Sequence, residues 1–235
     1  WANTIAAPIA LSTAGQPAWS YVLGNETQIF ADNIAYTVYA KATDAADNAQ
    51  AAFGVGTSSS SFTYATQLPT STVNVPANNT YVNTLAALSG TAVAYGLGSR
   101  VALTEYSLRE TAGPYWNGAT FSAVGEAFFP LSFSAPNVWS AAAPPLQNTR
   151  QYQLRLRATD NAGNVESMKT PTAFTFDTSS PTTAVTLPAH NGFVNSLPTV
   201  SGTVADNTGL GGVQRVELAV REEGGSWYNG AGAFD

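Results

Sequence analysis

Cysteine is absent from this 235-residue sequence and histidine occurs once, at His190. Without a thiol there is no disulfide, no thiolate metal site and no cysteine nucleophile. A lone imidazole confines any His-based triad to one place and excludes a metal centre built on two or more histidines. Charge is scarce as well. Only 10% of residues are charged, with nine basic ones standing singly from Lys41 to Arg221 and fifteen acidic ones, for a formal net charge of −6. No basic face forms for a phosphate backbone, so nucleic acid is not an expected partner. Long apolar runs are missing too: nothing approaches the eighteen or so residues of a membrane span, and no basic segment leads into an apolar stretch at Trp1. A chain that opens on Trp rather than Met is expected to be processed, excised or a fragment.

What is present is a β composition. Ala, Thr, Ser, Asn and Gly dominate, aromatics reach 11%, and the helix-favouring Leu, Lys and Glu are sparse. At 44% hydrophobic the chain can bury a core. Gly, Pro and Asn punctuate short apolar runs, as in Leu68-Pro69, Val75-Pro76-Ala77-Asn78-Asn79 and Asn161-Ala162-Gly163-Asn164, so turns are frequent and strands short.

An internal repeat organises these runs. Pro69-Thr70 through Asn117-Gly118 matches Pro181-Thr182 through Asn229-Gly230 without a gap, an offset of 112 residues. Pro76-Ala77 answers Pro188-Ala189, Ser89-Gly90-Thr91 answers Ser201-Gly202-Thr203, and Arg109-Glu110 answers Arg221-Glu222. A second block, Ala42 to Asn48, matches Ala158 to Asn164 at an offset of 116. It follows an alternating strand in both copies. In the second, Tyr152, Leu154, Leu156 and Ala158 fall on one face and Gln153, Arg155 and Arg157 on the other, the signature of a half-buried antiparallel strand. A unit of about 110 residues has the size of an immunoglobulin-like sandwich. Within 68–180 strands are expected near 72–75, 81–93, 101–109, 128–133, 152–159 and 170–176, with weaker ones around Trp116 and Trp139.

The Pro-anchored start Asp177-Thr178-Ser179-Ser180-Pro181, then Asn191-Gly192, Ser201-Gly202-Thr203 and the block Arg157 to Asn164 resemble bacterial Ig-like repeats. Such repeats occur in tandem in large surface adhesins and other extracellular proteins. The resemblance implies an extracellular, cell-surface, bacterial protein whose repeats serve mostly as stalks or spacers, with ligand binding added at particular modules.

The repeat phase divides the chain. Trp19-Ser20 matches Trp139-Ser140 at an offset of 120, which sets Trp1 near Phe121 of a complete unit, while the offset of 112 sets Asp235 near Ala123. The expected fold is therefore all-β, with tandem Ig-like sandwich repeats of 112–116 residues and split terminal repeats. Residues 1–67 form the C-terminal part of one repeat, 68–180 a complete repeat and 181–235 the N-terminal part of a third. A sandwich lacking half its strands exposes an apolar face and open edges. The expected partners are thus copies of the chain or adjacent repeats, joined head to tail in an open, heterologous series.

Each candidate site competes with a structural role. No cofactor is expected; Asp160, Asn164, Asp177 and Asp206 offer hard oxygens suited to calcium, which is the one metal to weigh. Yet Asp and Asn cap tight turns, and Gly163 supplies a positive φ, without any metal; Asp177 and Asp206 have alanine, Ala65 and Ala94, at the matching positions. Asp44 is read as the turn partner of Asp160. Glu105, Glu110, Glu217, Glu222 and Glu223 invite a paired-carboxylate hydrolase, but Glu105 and Arg109 alternate with Tyr106 and Leu108 and so lie on a solvent face. Tyr115, Trp116, Trp227 and Tyr228, with Trp19 and Trp139, would serve either as a sugar-stacking platform or as packing. Tyr36 and Tyr152 are expected to begin equivalent strands at a corner, rings buried and hydroxyls bonded to backbone. His190 lies in a turn, Lys41 faces outward, and Lys169 precedes a strand. Asn25-Glu26-Thr27 and Asn78-Asn79-Thr80 match a glycosylation sequon.

The function expected is non-enzymatic: a segment or subunit of the shaft of an extracellular filament or adhesin. The alternative is a carbohydrate- or receptor-binding Ig-like module that takes glycans or host-surface receptors; a further one is an accessory domain of a larger secreted hydrolase.

Overall fold

The computed structural model describes residues 18–52, 54–207 and 212–234. The sequence-based units 1–67 and 181–235, and their termini Trp1 and Asp235, extend outside the described residues. Apart from one helical turn at Glu26–Ile29, the regular structure is all β. In chain order the strands are β1 (Ile34–Tyr39), β2 (Ser59–Tyr64), β3 (Thr70–Val75), β4 (Thr80–Val82), β5 (Ala87–Val93), β6 (Val101–Glu110), β7 (Tyr115–Trp116) and β8 (Phe121–Ala123). They continue with β9 (Phe129–Pro130), β10 (Ser132–Ala135), β11 (Val138–Ala142), β12 (Arg150–Asp160), β13 (Thr172–Phe176), β14 (Thr182–Leu187) and β15 (Ser201–Ala205).

Two larger sheets lie in the middle of the chain. One has the order β10-β11-β5-β3; the other runs β4-β13-β12-β6-β7-β8, with β9 also paired to β6. Both contribute to one buried cluster. Leu88, Ala92 and Trp139 come from the first sheet, and Tyr106, Leu108, Trp116, Tyr152, Leu154, Leu156, Ala158 and Phe174 from the second. The alternation legible in the sequence is the burial pattern of β12, in which every second residue from Tyr152 to Asp160 is buried. β12 is central because its two edges pair with β6 and β13, both antiparallel. Before and after these strands in sequence come two separate two-stranded sheets, β1-β2 and β14-β15.

Two expected strands divide in the structure. The run 81–93 becomes β4, which lies parallel to β13 in the larger sheet, and β5, which pairs β3 and β11 in the smaller one. The run 128–133 likewise divides into β9 on β6 and β10 on β11, with buried Leu131 between them. In both places the chain leaves one sheet for the other while a leucine of the connection, Leu85 or Leu131, stays against the core, and the hydrogen-bonding partner changes. The segment around Trp139, read as weak, is a full strand between β10 and β5.

Candidate functional site

The residues singled out by their repetition build the same local devices twice. The Gln147 N–H donates to the Tyr152 hydroxyl at 2.8 Å, and the Ala31 N–H donates to the Tyr36 hydroxyl at 2.8 Å, each from five residues upstream. Across the strand pair Tyr152 stacks on Phe174, centroids 5.5 Å apart, and Tyr36 on Phe62 at 5.8 Å. Each device ties a strand start to the segment before it. Tyr152 is fully buried whereas Tyr36 is half-buried. Burial pushes the Tyr152 hydroxyl above its ordinary value near 10, against the Gln147 hydrogen bond that lowers it.

The Asp turns match atom for atom. Asp160 Oδ1 accepts from the N–H groups of Ala162 (2.9 Å) and Asn164 (2.8 Å), and Oδ2 from Asn164 Nδ2 (3.0 Å). Asp44 accepts from Ala46, Asn48 and Asn48 Nδ2 at 2.9, 2.8 and 2.9 Å. Gly163 has φ +89°, and Asp47 takes its place at +65°. The hydrogen bonds from the Asn48 side chain, then from the Asn48 and Ala46 N–H groups, hold the Asp44 carboxyl below its ordinary value of 3.8. These carboxylate oxygens face N–H donors, which is the geometry of an Asx turn and not of a cation cage.

The hairpins recur as well. β3 on β5 aligns Thr70 with Val93 and is bulged between Val73 and Val75; β14 on β15 aligns Thr182 with Ala205 and is bulged between Val185 and Leu187. Gly90 is required by close approach, since a Cβ there would lie 1.9 Å from the Thr72 carbonyl and 2.5 Å from the Trp139 ring. Trp139 covers this glycine, fully buried, and its Nε1–H donates to the Thr91 carbonyl at 3.1 Å. Its match Trp19 is 56% exposed.

One buried group escaped sequence reasoning. Glu166 is buried, and its carboxylate accepts from the Ser71 N–H (2.7 Å), the Ser71 hydroxyl, the Ala158 N–H (3.2 Å) and the Lys169 ammonium. It clamps β3, in one sheet, to β12, in the other. Gln50, the matching residue after the first Asp turn, bonds the Ala42 N–H in the same way at 3.4 Å. That match was the available signal.

The remaining candidates are scattered. Asp177 and Asp206 line an open cleft of about 850 Å³ with Thr80, Tyr81 and Gln214, and are bridged by Asn207, whose Nδ2 donates to Asp177 Oδ1 at 2.8 Å. Asp160 and Asn164 do not line it, and no three acidic or histidine side chains converge among the described residues. Tyr115 and Trp116 point to opposite sides: Trp116 is buried against Phe121, and Tyr115 lies under the Arg109 guanidinium, 5.5 Å from its centroid. Trp227 and Tyr228 are exposed, with Arg221 over Trp227 at 5.4 Å. Glu105 is engaged by Arg157 at 2.7 Å, and Glu217 by Arg215 at 3.5 Å. His190 and Lys41 are exposed. Asn25 bonds Thr27, and Asn78 accepts from the Ala173 N–H, both at 2.8 Å. The chain matches no protein-family model and no curated protein.

Proposed function

We propose that this chain is a non-catalytic segment of the shaft of an extracellular bacterial filament or adhesin, made of Ig-like repeats that complete one another head to tail. The observation that carries the reading is recurrence. The tyrosine clasp and the Asp turn return at the offset of 116 residues and the bulged hairpin at that of 112, the two offsets that relate the repeats. Conserving such tie points while varying the faces between them is what a stack of equivalent modules requires. The candidate carboxylate Glu105 is held in an ion pair with Arg157, a structural use of the charge. Two sheets around one core, with seven or more strands in residues 68–180, support the sandwich assignment.

Small-angle scattering of the full chain, extrapolated to zero concentration, tests the shaft. A radius of gyration well above the roughly 18 Å of a single compact domain of this length is expected, and a value at that figure overturns the reading. The exposed Trp227 and Tyr228 favour one second reading, binding of glycans or a surface receptor. Glycan-array binding that is lost in Trp227→Ala would establish it in place of the shaft.

A further inference from the structure

Among the described residues, two segments of the repeat lack the neighbour that the middle of the chain supplies. In the larger sheet β12 lies between β13 and β6. Its match β1 pairs only β2, and among the described residues no strand covers its other edge. Conversely, residues 213–222 match β6, the principal partner of β12, at the offset of 112. They alternate as β6 does, yet 212–220 form no strand, and Val216, Leu218 and Val220 are 57%, 63% and 38% exposed. Each segment lacks what the other is.

We infer that β1, β2 and Trp19 of one chain seat on the β14-β15 hairpin and residues 212–228 of a second copy, in the register that β12, β13 and Trp139 take against β3, β5 and β6. This rests on the shaft reading in treating the repeats as equivalent, and it names the partner and the contacts. Transferring the register of β12 on β6, which aligns Leu154 with Leu108 and Arg157 with Glu105, aligns Val38 with Val220 and Lys41 with Glu217. Charge complementarity is kept: Arg157 and Glu105 form an ion pair at 2.7 Å, and a lysine and a glutamate stand at the matching positions. The steric fit is kept too. Trp139 lies over Gly90 and bonds the Thr91 carbonyl; the second copy presents Gly202 and Thr203 there, and Trp19 is the exposed indole to cover them. Tyr228, 43% exposed, would take the buried place of Trp116.

The cysteine-free chain makes the register testable. Lys41 and Glu217 are exposed, so cysteines there leave the fold of each copy intact. Directly opposed antiparallel positions bring Cβ atoms within reach of a disulfide. Under mild oxidation Lys41→Cys/Glu217→Cys should give a ladder of covalent multimers on non-reducing denaturing gels. Lys41→Cys/Glu222→Cys should not, because 222 falls opposite Tyr36 in the same register. Independently, the emission contributed by Trp19, taken as wild type minus Trp19→Phe, should shift to shorter wavelength as concentration rises. Monomers with both thiols free, an intramolecular disulfide, equal ladders from both cysteine pairs, or a Trp19 signal indifferent to concentration would each overturn the inference. None of these would shorten the particle seen by scattering, so the shaft reading and the interlock fail separately.

Discussion

Tyr152, Glu166 and Gly90 show how single side chains hold two sheets in place. Replacing Tyr152 by Phe leaves the ring and removes the acceptor for the Gln147 N–H, so denaturant unfolding should show a loss of about 1 kcal/mol, one hydrogen bond's worth. The same hydroxyl has an alkaline signature. Its folded pKa is raised above 10 by burial, as is that of Tyr106. Each therefore contributes stability fully present below about pH 10 and lost as pH rises through the folded value, where the unfolded state releases the proton more readily. Tyrosinate absorbance at 295 nm should rise together with unfolding, and Tyr152→Phe should move that midpoint. Glu166→Ala leaves the Ser71 and Ala158 donors without an acceptor in the interior and should cost on the order of 3 kcal/mol. Unchanged stability would mean that the clamp is idle.

At the scale of elements, the Asp turn reverses the chain, closed by the bridge Thr159–Val165 after β12 and by Thr43–Ala49 after β1. Three donors satisfy the Asp160 carboxylate, so melting curves in EDTA and in millimolar calcium should coincide. A midpoint many degrees lower in EDTA would identify a ligand loop instead. Asp160→Ala should destabilise more than Asp44→Ala, because Asp160 is 2% exposed while Asp44 lies in solvent and water replaces its donors. For Asp44 the lowered pKa sets the sign: its contribution is present above pH 3.8 and disappears as pH falls through the folded value. Of these elements, β12 and the Asp turns were legible in the sequence because their signals are local, a period of two and a turn composition. The division of 81–93 into β4 and β5 was not. Both halves are apolar on the inner side, and nothing within the run says that Thr80–Val82 pairs β13 while Ala87–Val93 pairs β3 and β11.

Across the whole molecule, apolar side chains are distributed unevenly. The middle buries Trp139, Tyr152, Phe174, Leu88, Leu108 and Leu154, while the flanking segments leave Trp19, Val38, Val216, Leu218 and Trp227 in water. Each such side chain, fully buried, is worth about 1.5–3 kcal/mol. Several of them together are comparable with the roughly 4–15 kcal/mol that association costs in lost freedom. Self-association should accordingly survive moderate salt, since the proposed pairing of Lys41 with Glu217 would contribute at most about 1 kcal/mol. Its heat-capacity change should be negative, the mark of apolar burial. Sedimentation in 0.1 and 1 M salt checks this: dissociation at the higher concentration would make the contact electrostatic.

The sequence by itself determined the β character, the 112-residue and 116-residue offsets, the inward face of β12 and the residues of the Asp turns. All of these are properties of neighbouring residues or of self-similarity, which need no partner to be read. Only the tertiary structure decided that Glu166 is interior, that Trp139 closes over Gly90, and that among the described residues β1 and residues 212–220 stand without the neighbours their matches have. Those facts depend on which distant strand supplies the opposing edge or donor. A pattern with a period of two tells inside from outside and is silent on the partner.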